Sequence, residues 1–89
     1  MVIVVPPEKR LANLAKYGID MAEFSTAFSW DRFVVLPAKP SRVGRARARL
    51  VGTMNGRLVT AVVSPLGNEA LAVVSIHPAG LKERVAYDM

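Results

Sequence analysis

The sequence has no cysteine and one histidine, His77, among 89 residues. The first absence removes disulfides and thiolate metal ligands, so neither a disulfide-stapled scaffold nor a cysteine zinc site is available. The second removes histidine clusters, and the seven acidic residues are scattered rather than grouped, so no carboxylate set bridges a metal. No apolar run approaches the ~20 residues of a membrane span. Met1–Val5 is too short for a signal peptide and lacks its basic leader. Gly52 and Gly56 lack the spacing of a phosphate-cradling loop, and Ser75 lacks the glycine elbow of a hydrolase nucleophile. These exclusions lead us to expect a cytoplasmic protein with no cofactor, no metal and no membrane partner.

A 52% hydrophobic content in 89 residues suits one core, so residues 1–89 are expected to form a single small domain. The net charge of +5 conceals an asymmetry. Arg32, Lys39, Arg42, Arg45, Arg47, Arg49 and Arg57 lie in one window without an acid, whereas elsewhere five basic residues meet seven acidic ones. Such a patch suits a polyanion, nucleic acid above all, because each phosphate contact releases condensed counterions. A solvated strand face is the alternative.

Pro7–Phe28 reads as two helices at a tight elbow, around which the rest is arranged. Pro7 suits a first helical position, Leu11, Leu14 and Ala15 have helical spacing, and Gly18 suits a left-handed cap. Ile19 and Leu14 would then meet as in a Schellman motif. Asp20 is expected to cap a second helix, with Glu23 closing a capping box and Ile19 and Phe24 forming a hydrophobic staple. Met21, Phe24, Ser25 and Phe28 would share its apolar face, while Lys9, Asn13 and Lys16 share a face of the first helix.

Met1–Val5 suits a buried or edge strand and Phe33–Leu36 a short one. Trp30, which with Phe33 brackets Asp31, is either a core aromatic at a helix-to-strand corner or a stacking platform for a base. Arg45–Leu50 alternates strictly, which predicts a strand with Arg45, Arg47 and Arg49 on one face. Asn55-Gly56 predicts a hairpin, Leu58–Ser64 its return strand, and Pro65–Asn68 a second turn. Ala70–His77 has the apolar run of a central strand, and a last short helix should point Leu81 and Val85 inward. The class is α+β: a small antiparallel sheet of three to five strands, packed by two N-terminal helices, with a short C-terminal helix.

Arginine, lysine, tyrosine and one histidine suffice for metal-independent RNA cleavage, in which a ribose 2′-hydroxyl attacks the adjacent phosphate. The protein need only align the strand, stabilise negative charge and move protons. Histidine is the side chain that titrates near neutrality, so His77 is either a proton carrier or a structural residue.

Lys9-x-x-x-Asn13-x-x-Lys16-Tyr17-Gly18-Ile19, then Glu23 and Phe28, and later Ser75-x-x-x-Ala79-x-x-x-Glu83-x-x-x-Tyr87, resembles the BrnT toxins of bacterial type II toxin–antitoxin systems. Arg47 with Gly52, and Gly56-Arg57-Leu58, are similar to further parts of that family, so the match spans nearly the whole chain. The resemblance implies a RelE-like ribonuclease fold and inhibition of translation by RNA cleavage. It also implies a BrnA-like ribbon-helix-helix antitoxin, through which alone promoter DNA would be bound. Lys16 and Arg47 carry over as catalytic candidates. Tyr17 stands where the family usually has histidine, His77 ends Ser75-Ile76-His77 where it has Ser-Ala-Arg, and Arg45-Ala46 replaces acidic residues. Tyr17 and His77 join the catalytic candidates, with Lys9, Arg45, Arg49 and Arg57 as RNA-binding ones. The alternative is an inactive relative that binds nucleic acid or antitoxin without cutting.

Overall fold

The computed structural model describes residues 1–89. In chain order they form β1 (Val2–Val4), α1 (Pro7–Tyr17), a 3-10 turn at Met21–Glu23, α2 (Phe24–Ala27), β2 (Phe28–Pro37), β3 (Ala48–Met54), β4 (Arg57–Leu66), β5 (Ala70–Pro78) and α3 (Leu81–Asp88). The strands make one sheet in the order β1-β5-β4-β3-β2, giving the expected α+β architecture. Hairpin connections leave β2 to β5 antiparallel, but β1 runs parallel to β5 because no hairpin fixes its direction. The central strand is therefore β4, not β5 as the apolar run suggested.

The main core lies between the sheet and the elbow, with Met21, Phe24, Leu50, Val59, Val63 and Ile76 among its buried side chains. A smaller cluster of Val51, Ala79 and Tyr87 lies on the other face, under α3. The helix bounds at Pro7 and Tyr17 are as expected, and Gly18 is left-handed at φ 69°. Its N–H donates to the Leu14 carbonyl at 2.9 Å, which is the single bond of an αL cap rather than the Schellman pair. Ile19 turns into the core instead of meeting Leu14, which stays exposed. Asn13 is the one buried residue of α1, and its amide bonds to both backbone groups of Ile76 on β5.

The second helix is shorter than expected, one 3-10 turn and one α turn, because the backbone is already extended at Phe28. Asp20 caps it by accepting from the Ala22 N–H at 3.0 Å, and no return bond from Glu23 closes a capping box. Met21, Phe24 and Phe28 are buried as read, whereas Ser25 faces outward. Phe24, Phe28, Trp30 and Phe33 form an aromatic cluster with ring centroids 4.8 to 5.8 Å apart, and the Trp30 indole N–H donates to the Ser25 carbonyl. Trp30 thus packs at the corner but is 38% exposed and lies outside the buried core.

Two strands are longer than the sequence suggested. β2 begins at Phe28, and its register with β3 shifts between Phe28 and Phe33. Gly52 on β3 permits the irregularity, since a Cβ there would lie 2.7 Å from the Ser29 hydroxyl and 2.8 Å from the Phe28 ring. β4 continues through Pro65 and Leu66, which pair with Leu71 and Ala70, so the turn is displaced to begin at Gly67. Asn55 and Gly56, both at positive φ, make the expected tight hairpin between β3 and β4.

The inward face of α3 is a correction. Leu81 and Val85 are 79% and 55% exposed, while Tyr87 is buried with the Arg32 guanidinium 4.5 Å from its ring centroid. Glu83 sets this rotation: one carboxylate oxygen accepts from the Gly80 N–H and the other from Arg49, each at 2.8 Å. A polar anchor outweighs two aliphatic side chains here, because the apolar space under the helix is small and filled by Tyr87.

Gly52→Ala should lower stability by about 1 to 3 kcal/mol, the usual range for overpacking, as a shift in the urea midpoint without loss of cooperativity. A second expectation concerns acid. The two Arg10 bonds to the Asp20 carboxylate, with the Ala22 N–H, hold it at about 2, below its ordinary 3.8. A depressed folded-state value contributes stability above the ordinary one and loses it as pH falls through about 2. Urea midpoints taken from about pH 5 to about pH 2 should therefore fall less steeply in Asp20→Asn than in the parent.

Candidate functional site

Side chains alternate across a strand, so with Ile76 in the main core, Ser75 and His77 point to the opposite face of β5. They stand opposite Val62 and Thr60 of β4, on the side of the sheet where α3 packs. That helix covers β3 and β2, leaving the β5 end of this face to α1 along its border. A groove of about 260 Å³ lies there, lined by Lys9, Asn13, Lys16, Tyr17, Val74 and Ser75. Lys9, Asn13 and Lys16 follow one helical stripe as the spacing required, so Asn13 anchors the helix while its two lysine neighbours edge the groove.

A second hollow of about 160 Å³ adjoins it, with Lys9, Ser41, Arg45, Arg47, Ser64 and Val74 in its lining. Lys9 and Val74 belong to both, so the two form one basic trough. Val74 is the extra residue of a bulge: Val62 pairs with Ser75 and Val63 with Val73, leaving Val74 unmatched. Bulges re-aim side chains at the margins of sheets. The far wall is held by the Ser41 side chain, which accepts from the Arg45 N–H at 3.0 Å, and by Ser64, which donates to the Ala46 carbonyl at 2.7 Å.

At the other end, the Tyr17 and His77 rings lie 5.9 Å apart, and the Lys16 ammonium sits 5.2 Å from the Tyr17 ring centroid. The His77 Nδ1 is 3.0 Å from the Pro78 carbonyl oxygen. A carbonyl only accepts, so the contact places a proton on Nδ1 and leaves Nε2 as the basic nitrogen of the neutral ring. The arrangement can bind phosphates along the trough and move a proton at one end. No group of three or more histidine, cysteine, aspartate or glutamate side chains converges anywhere to hold a metal.

Six of the eight residues singled out from the sequence thus border one region: Lys9, Lys16, Tyr17, Arg45, Arg47 and His77. The other two lie elsewhere. The Arg49 guanidinium bonds Glu83 at 2.8 Å and the Pro37 carbonyl at 3.0 Å, tying β3 to α3 and to the end of β2. Arg57 lines a separate small cavity beside Asp20 and Glu23. The three alternating arginines do not form one strand row, since β3 begins only at Ala48. A turn with Ser41 and Gly44 holds Arg45 and Arg47 ahead of it. Ser75 and Ser41 were missed as site residues. Ser75 lacks the elbow of a nucleophile and otherwise stands in the sequence only as a motif position, and nothing there marks the bulge that presents it.

No protein-family model and no curated protein sequence matches the chain. Among solved structures, it is similar to the 1.1 Å crystal structure of the Brucella abortus ribonuclease toxin BrnT. The two are 31% identical with a TM-score of 0.71, over 90% of this chain and 97% of that one. At that identity and coverage the chain belongs to the BrnT toxin family.

Proposed function

We propose that the protein is an endoribonuclease toxin that cleaves RNA without a metal ion and so inhibits translation. The carrying observation is the shared trough, in which four cations from α1 and the segment before β3 lead to the Tyr17–His77 pair. In this reading Lys9 and Arg45 grip flanking phosphates. Lys16 and Arg47 stabilise the charge that builds on the scissile phosphate. His77 accepts the 2′-hydroxyl proton at Nε2 as the 2′-oxygen bonds to phosphorus. The phosphorus–5′-oxygen bond breaks as that bond forms, the departing 5′-oxygen takes a proton from solvent water, and a 2′,3′-cyclic phosphate remains. Tyr17 offers a phenol to the phosphate or a ring to a base. In the same reading a cognate BrnA-like antitoxin blocks the toxin and carries the complex to promoter DNA, and the pair works in the cytoplasm.

Arg45→Gln with Arg47→Gln should flatten the salt dependence of RNA binding by about 1.4 units of log–log slope, at about 0.7 per single-strand phosphate contact. Arg49→Gln should leave the slope unchanged and lower stability instead, since its partner is Glu83. An unchanged slope in the double variant would remove the trough from RNA binding.

His77→Gln should slow cleavage by roughly 10²- to 10⁴-fold with folding intact, and should remove one limb of the pH–rate profile. A parent protein that binds RNA normally yet never cuts it would make the binding-module reading the better one.

A further inference from the structure

We infer that Asn13 is the positioning residue of the site: its amide sets where Tyr17 stands relative to His77. This rests on the cleavage proposal for its functional meaning. β1 pairs with β5 only as far as Val4 and Ala72, so β5 has no strand partner on that edge at Ile76. The Asn13 side chain takes that place. Its Oδ1 accepts from the Ile76 N–H at 2.9 Å, and its Nδ2 donates to the Ile76 carbonyl at 2.9 Å and to the Ile19 carbonyl at 3.0 Å. All three of these bonds go to backbone, and the residue is 5% exposed. Ile76 precedes His77, and Ile19 lies just past the Gly18 cap that follows Tyr17. One planar amide thereby clamps, through backbone bonds, both segments that present the two rings, which lie 5.9 Å apart.

The sequence alone would place Asn13 among polar surface residues of an amphipathic helix. Its burial and three backbone bonds give it another role, because a hydrogen-bonded amide is directional where an aliphatic contact is not. An alanine or leucine at this position would fill space yet leave α1 free to slide along β5.

Asn13→Asp keeps the size and the acceptor for the Ile76 N–H but loses both donor bonds. It should slow single-turnover cleavage by roughly 10- to 100-fold, the scale of a small misplacement, while binding to a 2′-deoxy, uncleavable RNA stays within about 2-fold. The nuclear Overhauser contact between the Tyr17 and His77 rings should vanish with it. Gly52→Ala, destabilised at a point remote from the trough, is the control and should keep the rate, the binding and the ring contact at a temperature where both variants are folded. Should Asn13→Asp not fold, the same comparison is made with Asn13→Ser, which is too short to span Ile19 and Ile76 together. An Asn13 variant that loses stability but keeps the cleavage rate and the ring contact overturns the inference. A parent that does not cleave overturns the cleavage proposal alone, and the ring contact then decides the role of Asn13 by its loss or persistence.

Discussion

The hydrogen bonds from Asn13 to the backbone of Ile76 are the constraint on which the rest of this small fold turns. An eleven-residue helix usually holds to a sheet through an apolar stripe, but here Leu11 and Leu14 face solvent and the buried residue is an amide. A typical hydrogen bond contributes about 0.5 to 1.5 kcal/mol net, and a buried backbone group left without a partner costs about 1 to 3 kcal/mol. The penalty for undocking is therefore larger than the gain from docking suggests. That asymmetry suits a helix whose remaining duty is to hold lysines at a rim.

The basic charge divides by partner rather than by position in sequence. Arg10 is committed to Asp20, Arg49 to Glu83, and Arg32 to the face of Tyr87, so each of these cations joins elements of the scaffold. Lys9, Lys16, Arg45 and Arg47 make no ion pair. They border the trough, whereas the remaining cations, Lys39, Arg42, Arg57, Lys82 and Arg84, are not in its lining. A count of charges along the chain could not separate the two groups, because the separation depends on which carboxylates the fold brings near.

The legible parts of the fold were those encoded by neighbours in sequence. Pro7, Gly18 and Asn55-Gly56 specify backbone angles locally, and the bounds of α1 and the β3–β4 hairpin followed from them. The bulge at Val74, the shortness of α2 and the rotation of α3 depend on partners dozens of residues away, among them Gly52 for Phe28 and Arg49 for Glu83. The candidate site was legible in its residue types and only partly in its membership, since alternation does not reveal where a strand begins. The motif residues behind the family resemblance also separate here. Asn13, Gly18, Ala79, Glu83 and Tyr87 hold the scaffold, while Lys9, Lys16, Tyr17 and Ser75 border the trough.

The close approach of Phe28 and Ser29 to Gly52 has an effect at the outer margin of the sheet. β2 is a ten-residue strand with no neighbour on one side, a length that offers a template for another chain to add to. The irregularity that Gly52 admits interrupts its regular pairing between Phe28 and Phe33, places Asp31 and Arg32 within the break, and leaves a short run that ends at Pro37. A missing side chain on an inner strand thus shields the rim against edge-to-edge aggregation, in a protein half of whose residues are hydrophobic.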